Sequence, residues 1–360
     1  MQGRHSLRPK ALTCHCQKPS VAITKGRPPL PIAKAQASVP LPRPQRCRYQ
    51  AYPEALVGAI AQGALRAINQ GALPCHYLRR GALLPLPGAL QVTTRIGLLG
   101  ASVTQHPEFD KLLDYLMAPE REHVRLSISS VRTGTVTETL AAALTARGTN
   151  SLTIAVESGS ERVRRIINKK LEQEEIFAAV RNAAAGGLQG LKLYGMVGIP
   201  GETEEDLEAT VQMFRELKAE APKLRLTFGC STFVPKAHTP FQWYGVERGA
   251  DKKLQKLEKQ LRPMGIQFRP ESYKWSLVQA VLARGDRRMT DVLLTCRSYG
   301  DNYTSFKRAF KDHKGELPAL EEYIHRDLDP GASMLPWSHL KGPLPEETLV
   351  RHANEAAALM

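Results

Sequence analysis

The chain has 360 residues, of which 42% are hydrophobic, so it can bury the core of one large domain or two ordinary ones. It contains no run of 18 or more apolar residues and no secretory apolar region, and its six scattered cysteines do not suit a disulfide framework. These features argue against a membrane-spanning, secreted or disulfide-stapled protein. They predict a cytoplasmic protein with no membrane partner.

The formal net charge of +15 is concentrated in the first quarter of the chain. Residues 1–90 hold 13 Lys and Arg and one acid, Glu54, whereas residues 91–360 hold 37 bases and 34 acids. The later part is therefore nearly neutral. The basic part has few aromatic side chains on which bases could stack, so RNA binding through it is the weakest of the functional hypotheses.

Residues 1–90 have an unusual composition, rich in Pro, Arg, Ala, Gly and Leu. A helix is predicted over residues 54–67, but the Gly and Pro of residues 68–90 argue against its continuation. Three interpretations remain open: a disordered basic arm, an organelle transit peptide, or translation outside the native reading frame. We therefore expect an irregular or disordered N-terminus rather than a folded domain.

From residue 91 onward, strand-like apolar runs alternate with amphipathic helical runs. Strands are predicted at residues 95–102, 124–130, 151–158, 190–201 and 224–235. Helices are predicted at residues 107–116, 137–148, 160–171, 174–187, 203–221, 252–262, 273–284, 290–299 and 305–313. This alternation predicts an α/β fold with a parallel sheet, either part of a (β/α) barrel or an open doubly wound sheet. We expect that core over residues 91–247 and a mainly helical region over residues 248–360.

Two turns at predicted strand ends carry the polar residues of interest. In Glu157-Ser158-Gly159-Ser160, Ser160 suits a helix N-cap and Gly159 would let the backbone approach a ligand closely. Glu157 needs a partner, which is either a ligand hydroxyl or amine, or nearby backbone donors. The second turn, residues 198–203, lacks the Lys and Ser/Thr of a phosphate-binding loop, and taken alone it is ordinary turn chemistry with Thr203 as the helix cap.

Together, the two turns and two later segments are more specific. The ordered segments ESGSERVRRIINKK, GMVGIPGETEEDL, FVPKAHTPFQW and LARGDRR lie between residues 157 and 288. They resemble the radical S-adenosylmethionine (SAM) superfamily, in the branch of the tRNA methylthiotransferases and the uncharacterised cobalamin-binding radical SAM proteins. The resemblance covers roughly residues 91–345 and implies a partial barrel of the radical SAM type.

The resemblance also implies which residues contact SAM. Glu157 matches an acid that contacts the ribose or the amino group, and Lys169 falls where relatives carry a base for the carboxylate. Lys236 and His238 are substrate-side candidates, although a structural role suits them equally well. The full set of implied SAM contacts is Gly100, Ala101, Ser129, Arg132, Glu157, Ser158, Gly159, Lys169, Val197 and Gly198.

The resemblance implies a [4Fe–4S] cluster, an electron donor and, for some relatives, cobalamin, whose domain we do not find in this chain. The family holds its cluster on three thiolates in a C-x3-C-x2-C motif, a spacing that this sequence lacks. Cys14, Cys16 and Cys47 are weak candidates only. Two hypotheses follow: a radical SAM enzyme whose N-terminal part is truncated or frameshifted, or a remnant that binds SAM or a partner without catalysis. Which small molecule or RNA is the substrate stays open.

Overall fold

The computed structural model describes residues 95–100, 102–330 and 334–360. Its strands pair in parallel, as a two-stranded sheet of β1 and β2 and a four-stranded sheet in the order β3-β4-β5-β6. A parallel bridge between Val131 and Ile154 joins the chain after β2 to β3. The strands are β1 (Arg95–Leu98), β2 (Arg125–Ile128), β3 (Ser151–Glu157), β4 (Gly190–Val197), β5 (Arg225–Thr232) and β6 (Gln267–Pro270).

Helices connect the strands and then continue beyond the sheet. Those among the strands are α1 (Phe109–Met117), α2 (Glu138–Ala146), α3 (Glu161–Ile166), α4 (Gln173–Ala185), α5 (Glu204–Glu220) and α6 (Ala250–Leu261). Those that follow β6 are α7 (Tyr273–Arg284), α8 (Met289–Tyr299), α9 (Tyr303–Asp312), α10 (Leu320–His325) and α11 (Glu346–Ala357). Strands thus neighbour one another in chain order with helical crossovers, which is the strand order of a (β/α) barrel.

The α/β class, the parallel pairing and the mainly helical C-terminal region are confirmed. The predicted helix over residues 160–171 was too long, because α3 ends at Ile166. Strand β6 was not predicted, since only Phe268 of its four residues is buried and so short a run has no readable alternation. The interpretations of residues 1–90, the helix over residues 54–67, Ala101 and the three weak cysteine candidates lie outside the described residues. The division at residues 247 and 248 stays a prediction.

The four-stranded sheet has two unlike faces because successive side chains point to opposite sides. In β3, Leu152, Ile154 and Val156 are buried, whereas the alternate residues are half-buried. The apolar face packs against the helices, as where the ring of Phe214 on α5 lies 4.7 Å from that of Phe228 on β5. The opposite face is polar and partly open to solvent, and the ends of its strands hold the candidate site.

A second hydrophobic core holds α7–α10 together. Arg284 at the end of α7 is buried there and donates hydrogen bonds to the carbonyl oxygens of Tyr323 (2.7 Å) and Ile324 (3.0 Å). The last helix, α11, instead packs near α3, beside the strand ends. Among the described residues, we find no helix with the length and apolar character needed to cross a bilayer.

Candidate functional site

A cleft of about 530 Å³ lies at the carboxyl ends of the central strands. Glu157 from the end of β3, Met196 from β4 and Phe233 from just after β5 contribute to its wall. Lys169 and Lys236, from the segments after α3 and β5, complete its polar side. Because the carboxyl ends of parallel strands gather at one edge, this is where ligands of α/β proteins bind.

Glu157 occupies a special backbone position. Its φ is +66°, in the left-handed region, and the pairing of β3 with β4 shifts register between Ala155 and Glu157. Such a bulge redirects a side chain, and a non-glycine residue in this region costs about 1–2 kcal/mol. Gly195 accommodates the bulge, since a Cβ there would lie 2.6 Å from the Glu157 carbonyl oxygen. The sequence therefore keeps a strained conformation that directs the Glu157 carboxylate into the cleft.

The partner of Glu157 is Lys169, which neither of the two sequence interpretations named. Lys169 Nζ donates to Glu157 Oε1 at 2.9 Å, with 31% and 22% of the two side chains exposed. The residues on either side of Lys169, Asn168 and Lys170, also have positive φ values, of 53° and 29°. This backbone ends the helix earlier than predicted and turns Lys169 back toward the strand end.

Arg164 connects the strand end that carries Glu157 with the segment that carries Lys169. Its fully buried guanidinium donates to the carbonyl oxygens of Ser158 and Leu171, each at 2.9 Å, and to Gln173 Oε1 at 2.9 Å. Burial lowers the pKa of Arg164 from its ordinary value, an effect that Glu161 opposes. Because its bonds link Ser158, directly after Glu157, to Leu171, two residues after Lys169, Arg164 acts as a positioning residue for the pair.

The other residues of the first turn serve the fold. A Cβ on Gly159 would lie 2.9 Å from the backbone nitrogen of Thr210, so this glycine allows close packing against α5 rather than against a ligand. Ser160 caps α3 by accepting from the Val163 N–H at 3.3 Å, and it donates to Asp206 at 2.5 Å. Ser158 is buried and accepts from the Ser160 N–H at 3.2 Å. Within this turn, only Glu157 lines the cleft.

The second turn is held by a buried ion pair. Glu202 Oε2 accepts the Gly198 N–H at 2.7 Å and lies 3.0 Å from Lys253 Nζ on α6. Burial raises the pKa of Glu202, and Lys253 opposes that shift. Val197 is buried, and its carbonyl oxygen accepts from the Phe233 N–H at 2.8 Å. The backbone groups expected to support adenine are therefore bonded within the protein, while the neighbouring Met196 lines the cleft.

The candidates on the first two strands form a separate group. Ser129 Oγ donates to the Gly100 carbonyl oxygen at 3.4 Å, so these two residues meet as expected for neighbouring strand ends. Arg132 contacts Gln105 Oε1 at 3.4 Å. The three candidates Gly100, Ser129 and Arg132 do not line the cleft that contains Glu157.

Lys236 and His238 line different cavities although they are only two residues apart in the sequence. Lys236 lines the same cleft as Glu157, and partial burial lowers its pKa. His238, with a φ of 57°, lines a different cavity of about 400 Å³ beside Trp337. Gln242 lies between His238 and Trp337. Its Oε1 accepts from the His238 N–H at 3.0 Å and from the indole N–H of Trp337 at 2.8 Å. These contacts favour a structural role for His238 over a substrate-side role.

The sequence interpretation missed helix α11, which covers one side of the cleft. His352, Glu355 and Ala356 of this helix, with Leu359 after it, contribute to the lining. Arg162 anchors the end of the chain by donating to the Leu359 carbonyl oxygen at 3.0 Å. The acids at residues 346 and 347 and the apolar spacing of residues 349, 353 and 356 are the signal that could have revealed this helix.

The described residues do not fit a [4Fe–4S] cluster. They contain no group of three or more His, Cys, Asp or Glu side chains placed to hold a metal. The two described cysteines, Cys230 and Cys296, are both buried, and burial raises the pKa of each thiol. A thiol with a raised pKa yields little of the thiolate that binds iron.

Comparison with known proteins supports the resemblance over part of the chain. Residues 89–214 match the model of the Radical SAM superfamily. An uncharacterised protein of Methanocaldococcus jannaschii is 32% identical over 66% of this chain and 50% of its own length. The tRNA-2-methylthio-N(6)-dimethylallyladenosine synthase of Chlorobium phaeobacteroides is 31% identical over 34% of this chain and 29% of its own length. The chain thus spans half or less of these two relatives.

A solved structure gives a weaker likeness. Coproporphyrinogen III oxidase from Escherichia coli, itself described as a radical SAM enzyme, matches at 20% identity with a TM-score of 0.33. The match covers 52% of this chain and 46% of that one, and a score this low does not establish a common fold. The likeness to the radical SAM superfamily therefore rests on the family match over residues 89–214.

Proposed function

We propose that the cleft binds S-adenosylmethionine and that this chain is the SAM-binding part of a radical SAM protein. The observation that carries the proposal is the pairing of Glu157 with Lys169 at 2.9 Å on the cleft wall. SAM presents an ammonium and a carboxylate on one carbon, so adjacent opposite charges match its methionine end. Charge-assisted hydrogen bonds to both groups are among the stronger polar contacts in proteins.

The cleft also suits the rest of SAM. Met196, Phe233 and Phe241 provide apolar and aromatic surface against which an adenine ring can lie. Glu157 can accept from the SAM ammonium or a ribose hydroxyl, while Lys169 Nζ can donate to the carboxylate. Because three backbone positions with positive φ hold this pair, little further ordering is needed on binding.

The function that the described residues support is SAM binding alone, because they contain no group of side chains placed to hold the cluster. Reductive cleavage of SAM, in which the family cluster supplies an electron, is proposed only for a whole protein that holds such a cluster. Cobalamin, an electron donor and a cytoplasmic location remain predictions. A SAM-binding protein without redox activity is the second candidate, favoured by the absence of a C-x3-C-x2-C spacing in the sequence.

Calorimetric titration of the purified full chain with SAM tests the proposal. We expect saturable one-to-one binding, with weaker binding of methionine and of adenosine because each contacts only part of the cleft. No measurable heat with SAM at micromolar to millimolar concentrations would contradict it. Anaerobic reconstitution with iron and sulfide separates the two candidates, since a radical SAM enzyme retains about four irons per chain and a redox-inactive protein retains none.

A further inference from the structure

The polar face of the four-stranded sheet carries an unusual set of side chains. Register places Lys192 between Thr153 and Thr227, and one layer higher it places Tyr194 between Ala155 and Gly229. Each layer therefore contains residues from adjacent strands that point to the same side. The layer above Tyr194 contains Met196, which lines the cleft, so this face continues directly into the candidate SAM site.

Three cations lie on this face: Lys192 on β4, Arg225 on β5 and Arg269 on β6. They occupy three successive layers, and Arg269 lies in the layer of Tyr194. Strands are about 4.8 Å apart and successive layers about 6.6 Å apart, so the Lys192 Cα lies within about 12 Å of both arginine Cα atoms. The two arginine Cα atoms are about 14 Å apart, a span that two long side chains can cover from either side. Arg225 and Arg269 are exposed and Lys192 is half-buried.

These cations have no carboxylate partner. Within residues 95–100, 102–330 and 334–360, none of the three makes a side-chain hydrogen bond or an ion pair, whereas Lys169, Lys253 and Lys256 each pair with a carboxylate. The only carboxylate in a described strand is Glu157, and Lys169 already pairs with it. Three positive charges on one face of the sheet, without a carboxylate partner, attract anions and concentrate them there.

Tyr194 adds a flat apolar element beside these charges. A Cβ on Gly229 would lie 2.8 Å from Cε1 of Tyr194, so the ring rests over this glycine. The tyrosine is nevertheless 48% exposed, an unusual degree for a large side chain in an inner strand of a sheet. An exposed aromatic ring next to cations suits a ligand with both a planar ring and an anionic group.

We propose that this face binds a phosphate-bearing substrate, with the phosphate held by Lys192, Arg225 and Arg269 and a planar ring against Tyr194. Phosphate fits better than a single carboxylate because three cations match its two negative charges and arginine binds its oxygens bidentately. The proposal rests on the proposed SAM site, since it places the substrate beside bound SAM. It deepens that function by naming the substrate class.

The test titrates the full chain with uridine monophosphate, uridine and inorganic diphosphate. We expect both phosphates to bind, uridine to bind at least about tenfold more weakly, and both phosphate affinities to fall as salt rises from about 50 to about 200 mM. Lys192→Gln and Arg269→Gln should each weaken binding about fivefold or more. Tyr194→Leu should weaken uridine monophosphate binding but leave diphosphate binding unchanged.

Lys223→Gln is the matched control, because Lys223 is exposed two residues before Arg225, outside the strand. An equal loss in the control variant would mean non-specific attraction and would overturn the proposal, as would wild-type protein that binds neither phosphate. Lys192→Arg keeps the positive charge that Lys192→Gln removes, so it should bind both phosphates about as tightly as wild type. This comparison separates the effect of charge from misfolding. If the chain binds the phosphates but does not bind SAM, the proposed SAM-binding function is refuted and the phosphate site is not.

Discussion

Gly195 and Glu157 face each other across the pairing of β3 and β4, and the absence of a side chain at Gly195 makes room for the bulge at Glu157. A Cβ on Gly195 would lie 2.6 Å from the Glu157 carbonyl oxygen and 2.8 Å from the Phe228 ring. Glycine is thus required at this position by two neighbours, one of which carries the carboxylate of the candidate site.

Gly195→Ala should therefore affect both folding and binding. Overpacking against backbone and an aromatic ring is expected to lower the free energy of unfolding by about 1–3 kcal/mol. Displacement of Glu157 should also weaken SAM binding in the fraction that stays folded. Urea denaturation and calorimetry measure the two effects, and unchanged SAM affinity in a destabilised protein would mean that the bulge does not position Glu157.

Arg164→Met should be among the most destabilising single substitutions in the described chain. It removes three hydrogen bonds and leaves the buried carbonyl oxygens of Ser158 and Leu171 without this donor. The expected loss in the free energy of unfolding is about 3–5 kcal/mol. Arg165→Met is the matched control, because that side chain is 68% exposed and its loss should cost less than about 1 kcal/mol. Similar losses for the two variants would show that the buried network contributes little.

Lys170→Gly should separate stability from binding. Glycine tolerates the positive φ at this position but adds freedom to the unfolded chain, so the net change in unfolding free energy should stay within about 1 kcal/mol. A looser backbone beside Lys169 should nevertheless weaken SAM binding several-fold. Thermal melting and SAM titration measure these effects, and an affinity equal to wild type would argue against a role for this conformation.

The stability of the protein should depend on the charge of Asp206. Burial opposes its ionisation, but hydrogen bonds from Arg162, Ser160 and Thr203 hold its pKa below the ordinary value. A carboxyl group whose folded pKa lies below its unfolded pKa of about 3.9 stabilises the fold above that pH. The contribution is lost as pH falls from about 4 through the folded pKa.

Asp206→Asn should thus cost about 1–3 kcal/mol near neutral pH, and the difference from wild type should shrink below about pH 4. Chemical denaturation at several pH values gives the comparison. Glu216→Gln, an exposed change on the same helix, controls for the loss of one negative charge. A difference that stays constant with pH would mean that Asp206 acts through packing rather than charge.

The sequence was most informative where periodicity is long and turns are specific. Strands β3–β5 and helices α4 and α5 follow their predicted ranges closely, because buried strands and amphipathic helices leave clear patterns. The family resemblance also named Glu157 and Lys169, and both line the cleft, while their contacts to SAM stay a prediction. Their direct pairing was not predicted, because it depends on left-handed backbone at Glu157, Asn168 and Lys170, and no propensity of Glu or Lys indicates that conformation.

Other parts of the site depend on contacts between distant segments. The sequence suggested a ligand-facing Gly159, whereas that residue packs on helix α5, and only the fold brings those elements together. The covering of the cleft by α11 joins residues nearly 200 positions apart, as in the bond from Arg162 to the Leu359 carbonyl oxygen. Local pattern cannot supply such distant contacts.

The central claim, that Glu157 and Lys169 bind SAM, is tested most directly by calorimetric titration of Glu157→Gln and Lys169→Met. Two exposed residues, Glu120 and Lys252, provide the matched controls Glu120→Gln and Lys252→Met. We predict that each site variant binds SAM at least about tenfold more weakly than wild type, a loss of about 1.4 kcal/mol, and that the controls stay within about twofold. Site variants that bind SAM as tightly as their controls would contradict the account.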